Sequence, residues 1–177
     1  TTMLVFSCTQ KAEEEIVKPN VVFILVDDLG YGDIGAYNVD SKISTPNINA
    51  IAEEGVRFMD AQTPASVCVP SRYSLLTGQY HFKNNRKYDE GIIAPERTTV
   101  ATLMKSAGYQ TAAFGKWHQG IPNEKSPIQG EDLQNGPLDH GFDYFFGIPA
   151  SLDIQPYYFI ENRRPVAYPT DTIVGSP

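Results

Sequence analysis

The sequence is poor in positive charge, in cysteine and in long apolar runs. It has 14 lysines and arginines against 21 aspartates and glutamates, and its formal net charge of -7 disfavours general binding to nucleic acid or to a membrane surface. Its two cysteines are Cys8 and Cys68, and a disulfide between them is disfavoured because Cys8 lies in a tail. No apolar run reaches the roughly 20 residues that a transmembrane helix needs. An anionic substrate would therefore need a local positive pocket.

The composition is that of an ordinary globular domain. Of the 177 residues, 41% are hydrophobic and 20% are charged, which is enough apolar material for a real core. Residues 1–18 differ, because Val5-Phe6-Ser7-Cys8 resembles a bacterial lipoprotein cleavage site and an acidic stretch follows it. We interpret them as a lipoprotein signal remnant and an acidic tether. They predict a protein of the bacterial periplasm or outer membrane, held to the membrane only through a lipid on Cys8. The alternative is a disordered leader with an accidental cysteine.

The rest of the chain, 19–177, has the pattern of an α/β domain. Apolar or alternating runs predict three strands, over 21–26, 56–59 and 109–114. The first run is continuously apolar, which is typical of a central parallel strand covered on both faces. Capping residues and an apolar face predict two structural helices, one from Thr45 as its cap to Gly55 and one over 99–107. We expect a mostly parallel central sheet flanked by helices.

The stretch from Cys68 to Gly78 has the features of a helix with an anion site at its start. Pro70 suits the first turn of a helix, and Gly78 would end it. Cys68 then lies at the helix N-terminus, where backbone N–H groups favour an anion, and Arg72 follows one turn later. The alternative is a buried cysteine at an ordinary helix start.

Two acidic residues, Asp27 and Asp28, follow the first predicted strand. Ligands gather at the carboxyl ends of strands in open α/β sheets, and the nearby glycines favour a turn that would bring both carboxylates to one ion. Paired carboxylates suit Ca²⁺, with Mg²⁺ as the alternative ion. A solvated turn without metal is the competing interpretation.

Lys116 and His118 follow the predicted strand over 109–114. They are two residues apart, so in an extended segment both side chains point the same way. One pocket at the same end of the sheet as Asp27 and Cys68 would receive both. The alternative is an exposed lysine beside a histidine that only bonds its neighbours.

These motifs together resemble the sulfatases of the alkaline phosphatase superfamily. The signature C-x-P-S-R-x-x-L-L-T-G is present at every fixed position from Cys68 to Gly78. The family's D-D-L-G-x-G-D, G-K-W-H and G-F-D-Y-F-F-G segments are matched by residues 27–33, 115–118 and 141–147. Gln119 stands where the family has leucine after G-K-W-H. The resemblance runs from about Pro19 to Arg164, so that 19–177 is expected to be the N-terminal part of a sulfatase catalytic domain.

The resemblance implies a role for each matched residue. Cys68 would be oxidised to formylglycine by a separate maturation enzyme, and the aldehyde, with Asp27 and Asp28, would bind the metal. Arg72 and Lys116 would stabilise the sulfate, and His118 would hold or protonate the reacting group. Some sulfatases use a serine at the substrate end where Ser151 lies, although a turn hydroxyl is an equal interpretation.

The implied activity is hydrolysis of sulfate monoesters in a sulfated small molecule or glycan. The family takes further metal ligands, an Asp and an Asn, from positions beyond this chain, and about 6–8 oxygens surround Ca²⁺. The chain alone is therefore expected to be inactive. A phosphatase or phosphodiesterase of the same superfamily is disfavoured, because those enzymes use serine or threonine as nucleophile. The remaining alternative is a binding remnant in which Cys68 stays a thiol.

Overall fold

The structure, a computed structural model, describes residues 17–168 and 170–171. They belong to two compact units, the first ending at Val56 and the second beginning at Arg57. Cys8 and the predicted signal remnant lie outside the described residues, so the lipid anchor stays a prediction. Of the helices in the described part, none has the length and hydropathy that crossing a bilayer requires.

The first unit contains one α-helix, α1, over Pro46–Glu54 in its described part. Proline occupies the first helical position, as its fixed φ and missing N–H favour. Thr45 is the N-cap residue, as the sequence predicts, although its side chain makes no capping hydrogen bond. Its hydroxyl oxygen instead accepts the Gly35 N–H at 2.9 Å and donates to Asn49 Oδ1 at 3.0 Å. The hydroxyl thus joins the helix start to an earlier turn.

The predicted strands over 21–26 and 56–59 are not formed. Residues 21–26 belong to no strand, and their side chains are exposed, from 44% at Leu25 to 82% at Val22. All the strands of the described sheet come from Ala112 to Pro165. An apolar sequence favours strand conformation, but a strand also needs a neighbour to complete its ladder of hydrogen bonds, and the run cannot supply that neighbour.

The second unit begins with the two helices that the sequence predicts there. Helix α2 spans Cys68–Thr77 and helix α3 spans Val100–Ser106. Helix α2 ends as expected, because Gly78 adopts a left-handed φ of 67° and donates its N–H to Ser74 O at 2.8 Å. Short 3₁₀ turns complete the helical structure of the described residues, at Tyr31–Asp33, His81–Lys83, Tyr88–Glu90 and Pro137–His140.

A four-stranded sheet lies in the second unit, in the order β1-β2-β3-β4. The strands are β1 (Ala112–Lys116), β2 (Tyr144–Ile148), β3 (Ile160–Glu161) and β4 (Arg164–Pro165). β1 and β2 are parallel, and the other two pairings are antiparallel. Gly147 pairs with Gly115, and a Cβ on Gly147 would lie 1.8 Å from Gly115 O, so the close approach of β1 and β2 requires glycine there. The α/β class is confirmed, with a mixed sheet.

The core of the second unit lies against one face of this sheet. It is an apolar cluster that joins helix α2, the strands and the loops around them: Tyr73, Ile92, Ile93, Trp117, Ile121, Leu133, Phe145, Tyr158 and Ile160. β2 has one covered face, since Phe145 is 1% exposed and its neighbour Phe146 is 37% exposed. The core therefore holds α2 beside the carboxyl end of β1.

Candidate active site

Cys68 is the first residue of helix α2. Val67 before it is extended, and the Ser71 N–H donates to Val67 O at 3.3 Å as the first helical bond. The Ser71 hydroxyl also donates to Ala65 O at 2.8 Å, which fixes the chain that leads into the helix. Among the described residues Cys68 is a free, half-buried cysteine. It is thus accessible at a helix start, where unbonded N–H groups collect.

Arg72 connects this helix to the carboxyl end of β1. Its Nη1 donates to the backbone oxygen of Lys116 at 2.7 Å, and the bond is partly buried. Lys116 is the last residue of β1. Two motifs that are 44 residues apart in the sequence are therefore joined at one place in the second unit.

The segment after Lys116 is buried and continues the pairing with the chain that follows β2. The Trp117 N–H donates to Ile148 O at 3.0 Å, and the His118 N–H donates to Pro149 O at 2.9 Å. His118 is 4% exposed and has a φ of 54°, in the left-handed region. The segment therefore turns at His118, and the simple alternation expected for Lys116 and His118 does not apply.

The turn after β2 contains a further carboxylate, Asp153. Ser151 donates its hydroxyl to Asp153, and the Ile154 N–H closes the turn on Ser151 O at 3.2 Å. The pKa of Asp153 is lowered by the Ser151 hydrogen bond first and further by the charges of Lys116 and His118. Ser151 lies two residues after Pro149, whose backbone oxygen accepts the His118 N–H, and Asp153 is a residue of the same turn that the sequence did not identify as functional.

Gln119 was missed as a structural residue of this site. It is 1% exposed, and its Nε2 donates to Val69 O at 3.1 Å and to His118 O at 2.8 Å. It therefore holds the first turn of helix α2 against the buried segment. The only signal in the sequence was its departure from the family's leucine, which gives no indication of where the amide would reach.

A half-buried tyrosine and a buried glutamate near His118 were also missed. The rings of Tyr88 and His118 meet edge to face, with centroids 5.8 Å apart. Glu124 is 3% exposed, and burial raises the pKa of its carboxyl to about 7, although the Ile121 N–H and the Lys125 charge oppose the shift. Burial also raises the pKa of the Tyr88 hydroxyl, and the Glu124 charge adds to that shift. Both residues lie in polar stretches that the sequence predicts as exposed loops, so nothing in the sequence indicates that they become buried near each other.

Asp27 and Asp28 lie in the first unit, on an exposed turn. Asp28 has a left-handed φ of 60°, and the turn continues with the Gly30 N–H donating to Asp33 Oδ2 at 2.9 Å. Exposed carboxylates on a turn fit Ca²⁺ or Mg²⁺ by donor chemistry. Within 17–168 and 170–171, no group of three or more His, Cys, Asp or Glu is placed to hold a metal. The metal set of Asp27, Asp28 and Cys68 stays a prediction.

Comparison with known proteins gives consistent matches. The family model described as Sulfatase matches residues 19–174. An N-acetylgalactosamine-6-O-sulfatase of Bacteroides thetaiotaomicron is 38% identical over 181 residues, which cover 96% of this chain and 35% of that protein. Human arylsulfatase D is 38% identical over 161 residues, which cover 85% of this chain and 26% of that protein. The chain therefore spans about a third or less of these curated relatives.

Solved structures agree with the sequence matches. A Bacteroides thetaiotaomicron protein, solved in work on the metabolism of multiple glycosaminoglycans, superposes with a TM-score of 0.75 at 37% identity, covering 84% of this chain and 32% of that one. A protein solved with its substrate D-glucosamine-2-N,6-O-disulfate gives a TM-score of 0.62 at 29% identity, covering 84% of this chain and 27% of that one.

Proposed function

This chain belongs to the sulfatase family, and from that membership we propose that it forms the nucleophile-bearing part of an enzyme that hydrolyses sulfate monoesters. The observation that carries the proposal is the bond from Arg72 Nη1 to Lys116 O at 2.7 Å. It holds the helix that begins with Cys68 beside the segment that contains Lys116 and His118. Two cationic side chains thus lie on the elements that flank the nucleophile.

The proposed nucleophile is formylglycine, made from Cys68 by a maturation enzyme that supplies the oxidant. Water adds to the aldehyde and gives two hydroxyl groups on one carbon. One hydroxyl attacks sulfur, the bond from sulfur to the alcohol oxygen breaks, and the alcohol leaves with a proton. The second hydroxyl then loses its proton, the C=O bond re-forms, and the bond from carbon to the sulfate oxygen breaks. Covalent catalysis of this kind includes its own release step, which a serine would lack.

The other residues of the chain position and neutralise the sulfate. Arg72 and Lys116 stabilise the negative charge that gathers on the sulfate oxygens, together with the N–H groups at the start of α2. His118 holds or protonates the reacting group, and Ser151 contacts the substrate beside it. Asp27 and Asp28 would hold Ca²⁺ with the residue at position 68, and that ion would supply further charge neutralisation.

The proposed substrate class is a sulfated glycan. The similarity to an N-acetylgalactosamine-6-O-sulfatase and to a protein solved with a disulfated glucosamine supports this class over other sulfate esters. Export with a lipid on Cys8 is proposed from the same tail that the sequence singled out. Labelled fatty acid should enter the wild-type protein in its host and be absent from a Cys8→Ser variant.

The test uses the full-length protein isolated from its native host. Mass spectrometry of the peptide that contains residue 68 should detect the aldehyde, and the protein should release sulfate from sulfated monosaccharides while leaving the matching phosphate esters intact. The 177-residue chain alone should release none, since it spans about a third of its relatives' length. An unmodified thiol from the native host would favour a binding remnant, and turnover of phosphate esters alone would indicate a phosphatase.

A further inference from the structure

The loop that begins at Tyr88 is fixed against the segment after His118. The Ile92 N–H donates to Gln119 O at 2.8 Å. Gly120 has a φ of 74°, and a Cβ there would lie 1.9 Å from Tyr88 O, so the two backbones touch. Tyr88 therefore has little freedom to move relative to His118.

The two side chains are in direct contact. The ring centroids of Tyr88 and His118 lie 5.8 Å apart at an interplanar angle of 80°, the edge-to-face arrangement that aromatic pairs prefer. His118 is 4% exposed, so little solvent competes with this contact. The imidazole plane is thus set by a neighbour that lies outside every motif of the sequence.

The carboxyl group of Glu124 is an electrostatic neighbour of the Tyr88 hydroxyl. The Tyr88 hydroxyl is buried within electrostatic range of the Glu124 carboxylate. Glu124 is itself held, because its Oε2 accepts the Ile121 N–H at 3.1 Å and its backbone oxygen accepts the Tyr158 hydroxyl at 2.7 Å. The pKa of Tyr88 is raised by burial and by Glu124, so the hydroxyl stays neutral across the working pH range.

We propose that Tyr88 is a positioning residue for His118. The edge-to-face contact between the two rings holds the imidazole in its orientation. The proposal rests on the proposed sulfatase activity for its catalytic consequence, but the orientation itself is a property of the fold. A correctly oriented imidazole lowers the barrier of the chemical step without adding a contact to bound substrate. Loss of the Tyr88 ring should therefore reduce kcat and leave KM nearly unchanged.

The test compares three variants of the full-length protein. Tyr88→Leu removes the ring contact and should lower kcat about 10- to 100-fold, the range expected for a misplaced catalytic group. Tyr88→Phe keeps the ring and should restore kcat to within about twofold of wild type, because the edge-to-face contact remains. Tyr144→Leu is the matched control, since Tyr144 is also half-buried, has its ring centroid 5.7 Å from that of Phe114 and bonds the Glu161 carboxylate at 3.0 Å. It should lower stability and leave the kcat of the folded protein unchanged.

A second measurement does not depend on turnover. In protein labelled with ¹³C at histidine Cε1, the His118 resonance is assigned by its loss in His118→Gln. It should move in Tyr88→Leu and stay in place in Tyr88→Phe and Tyr144→Leu. If Tyr88→Leu does not fold, Tyr88→Met fills the gap with a flexible side chain and carries the same expectation.

The outcomes separate the two proposals. An unmoved His118 resonance in Tyr88→Leu overturns the role of Tyr88, as does an unchanged kcat in an active protein. A wild-type protein that releases no sulfate from any sulfated monosaccharide overturns the proposed function instead, and the resonance still decides the role of Tyr88.

Discussion

The two units support their motif residues in different ways. In the second unit, residues Trp117–Ile121 are buried and bonded to α2 and to the chain after β2. In the first unit, the acidic pair follows an apolar run whose side chains stay exposed, Val22 at 82%. The sequence marks both places with the same signal, an apolar run that ends in a polar motif. The difference shows that a motif identifies chemistry, whereas its rigidity depends on contacts made by residues far away in the sequence.

The largest expected effect is on catalysis, at the bond that joins the two motifs of the second unit. Arg72→Ala in the full-length protein should cost roughly 2–4 kcal/mol of transition-state stabilisation, or about 10²–10³ in kcat/KM, as for a lost oxyanion donor. Arg86→Ala is the control, because Arg86 also donates to backbone oxygens, of Gly91 at 2.7 Å and of Glu90 at 2.6 Å. Steady-state kinetics should show a change below about threefold for the control. Equal losses in the two variants would mean that Arg72 acts only as a structural residue.

The second expected effect is on stability, at the close approach of the Gly120 backbone to the backbone of Tyr88. Gly120→Ala places a Cβ 1.9 Å from Tyr88 O and should lower the free energy of unfolding by about 3 kcal/mol, from backbone overlap and left-handed strain together. Gly130→Ala has the same strain, with a φ of 93°, but no atom within 4 Å of the added Cβ, and should cost about 1 kcal/mol. The difference between the free energies of unfolding of the two variants, measured in urea, gives the cost of the backbone overlap alone. A Gly120 variant no weaker than the Gly130 variant would contradict this contact.

Local signals predicted the site elements of the second unit well. Helix α2 begins and ends where its cysteine, proline and glycine indicate, because caps and left-handed glycines act over a few residues. The strand before Lys116 forms too, as β1, two or three residues later than the apolar run predicted. The α/β class followed from these elements and from the family resemblance.

Contacts between distant residues could not be predicted in the same way. The amide of Gln119, the ring of Tyr88 and the bond from Arg72 to Lys116 each depend on chain that is about 30–50 residues away in sequence. The periodicity of a sequence indicates which side of a helix or strand is apolar. It does not indicate which distant polar atom will form a hydrogen bond with that element. The strand predicted over 21–26 is wrong for the same reason, because a strand forms only where a neighbouring strand completes its hydrogen bonds.

The third prediction concerns pH and the buried carboxyl of Glu124. Burial raises its pKa from the ordinary value of 4.5 to about 7, so the folded state binds more protons than the unfolded state between these values. Stability should therefore fall as pH rises through this window, by roughly 1–3 kcal/mol. Glu124→Gln cannot ionise and keeps an acceptor for the Ile121 N–H. The variant should match wild type at pH 4 and exceed it at pH 8 in urea unfolding.

The exposed Glu131 provides the control for this effect, because Glu131→Gln removes a carboxylate that is already solvated. It should leave the pH dependence of the wild-type protein unchanged. A Glu124→Gln variant that retains the wild-type slope between pH 4.5 and 7 would mean that its carboxyl is hydrated in solution.

The smallest effect is expected in the first unit, and it tests the comparison directly. Val22→Thr changes a side chain that is 82% exposed, so the free energy of unfolding of the 177-residue chain should change by less than about 0.5 kcal/mol. Substitution by threonine at Ile121, which is 1% exposed, buries a hydroxyl and also removes apolar volume, and should cost about 2 kcal/mol or more. If Val22→Thr proves as costly as Ile121→Thr, the apolar run is covered in solution. The first unit would then hold its acidic pair as firmly as the second unit holds His118.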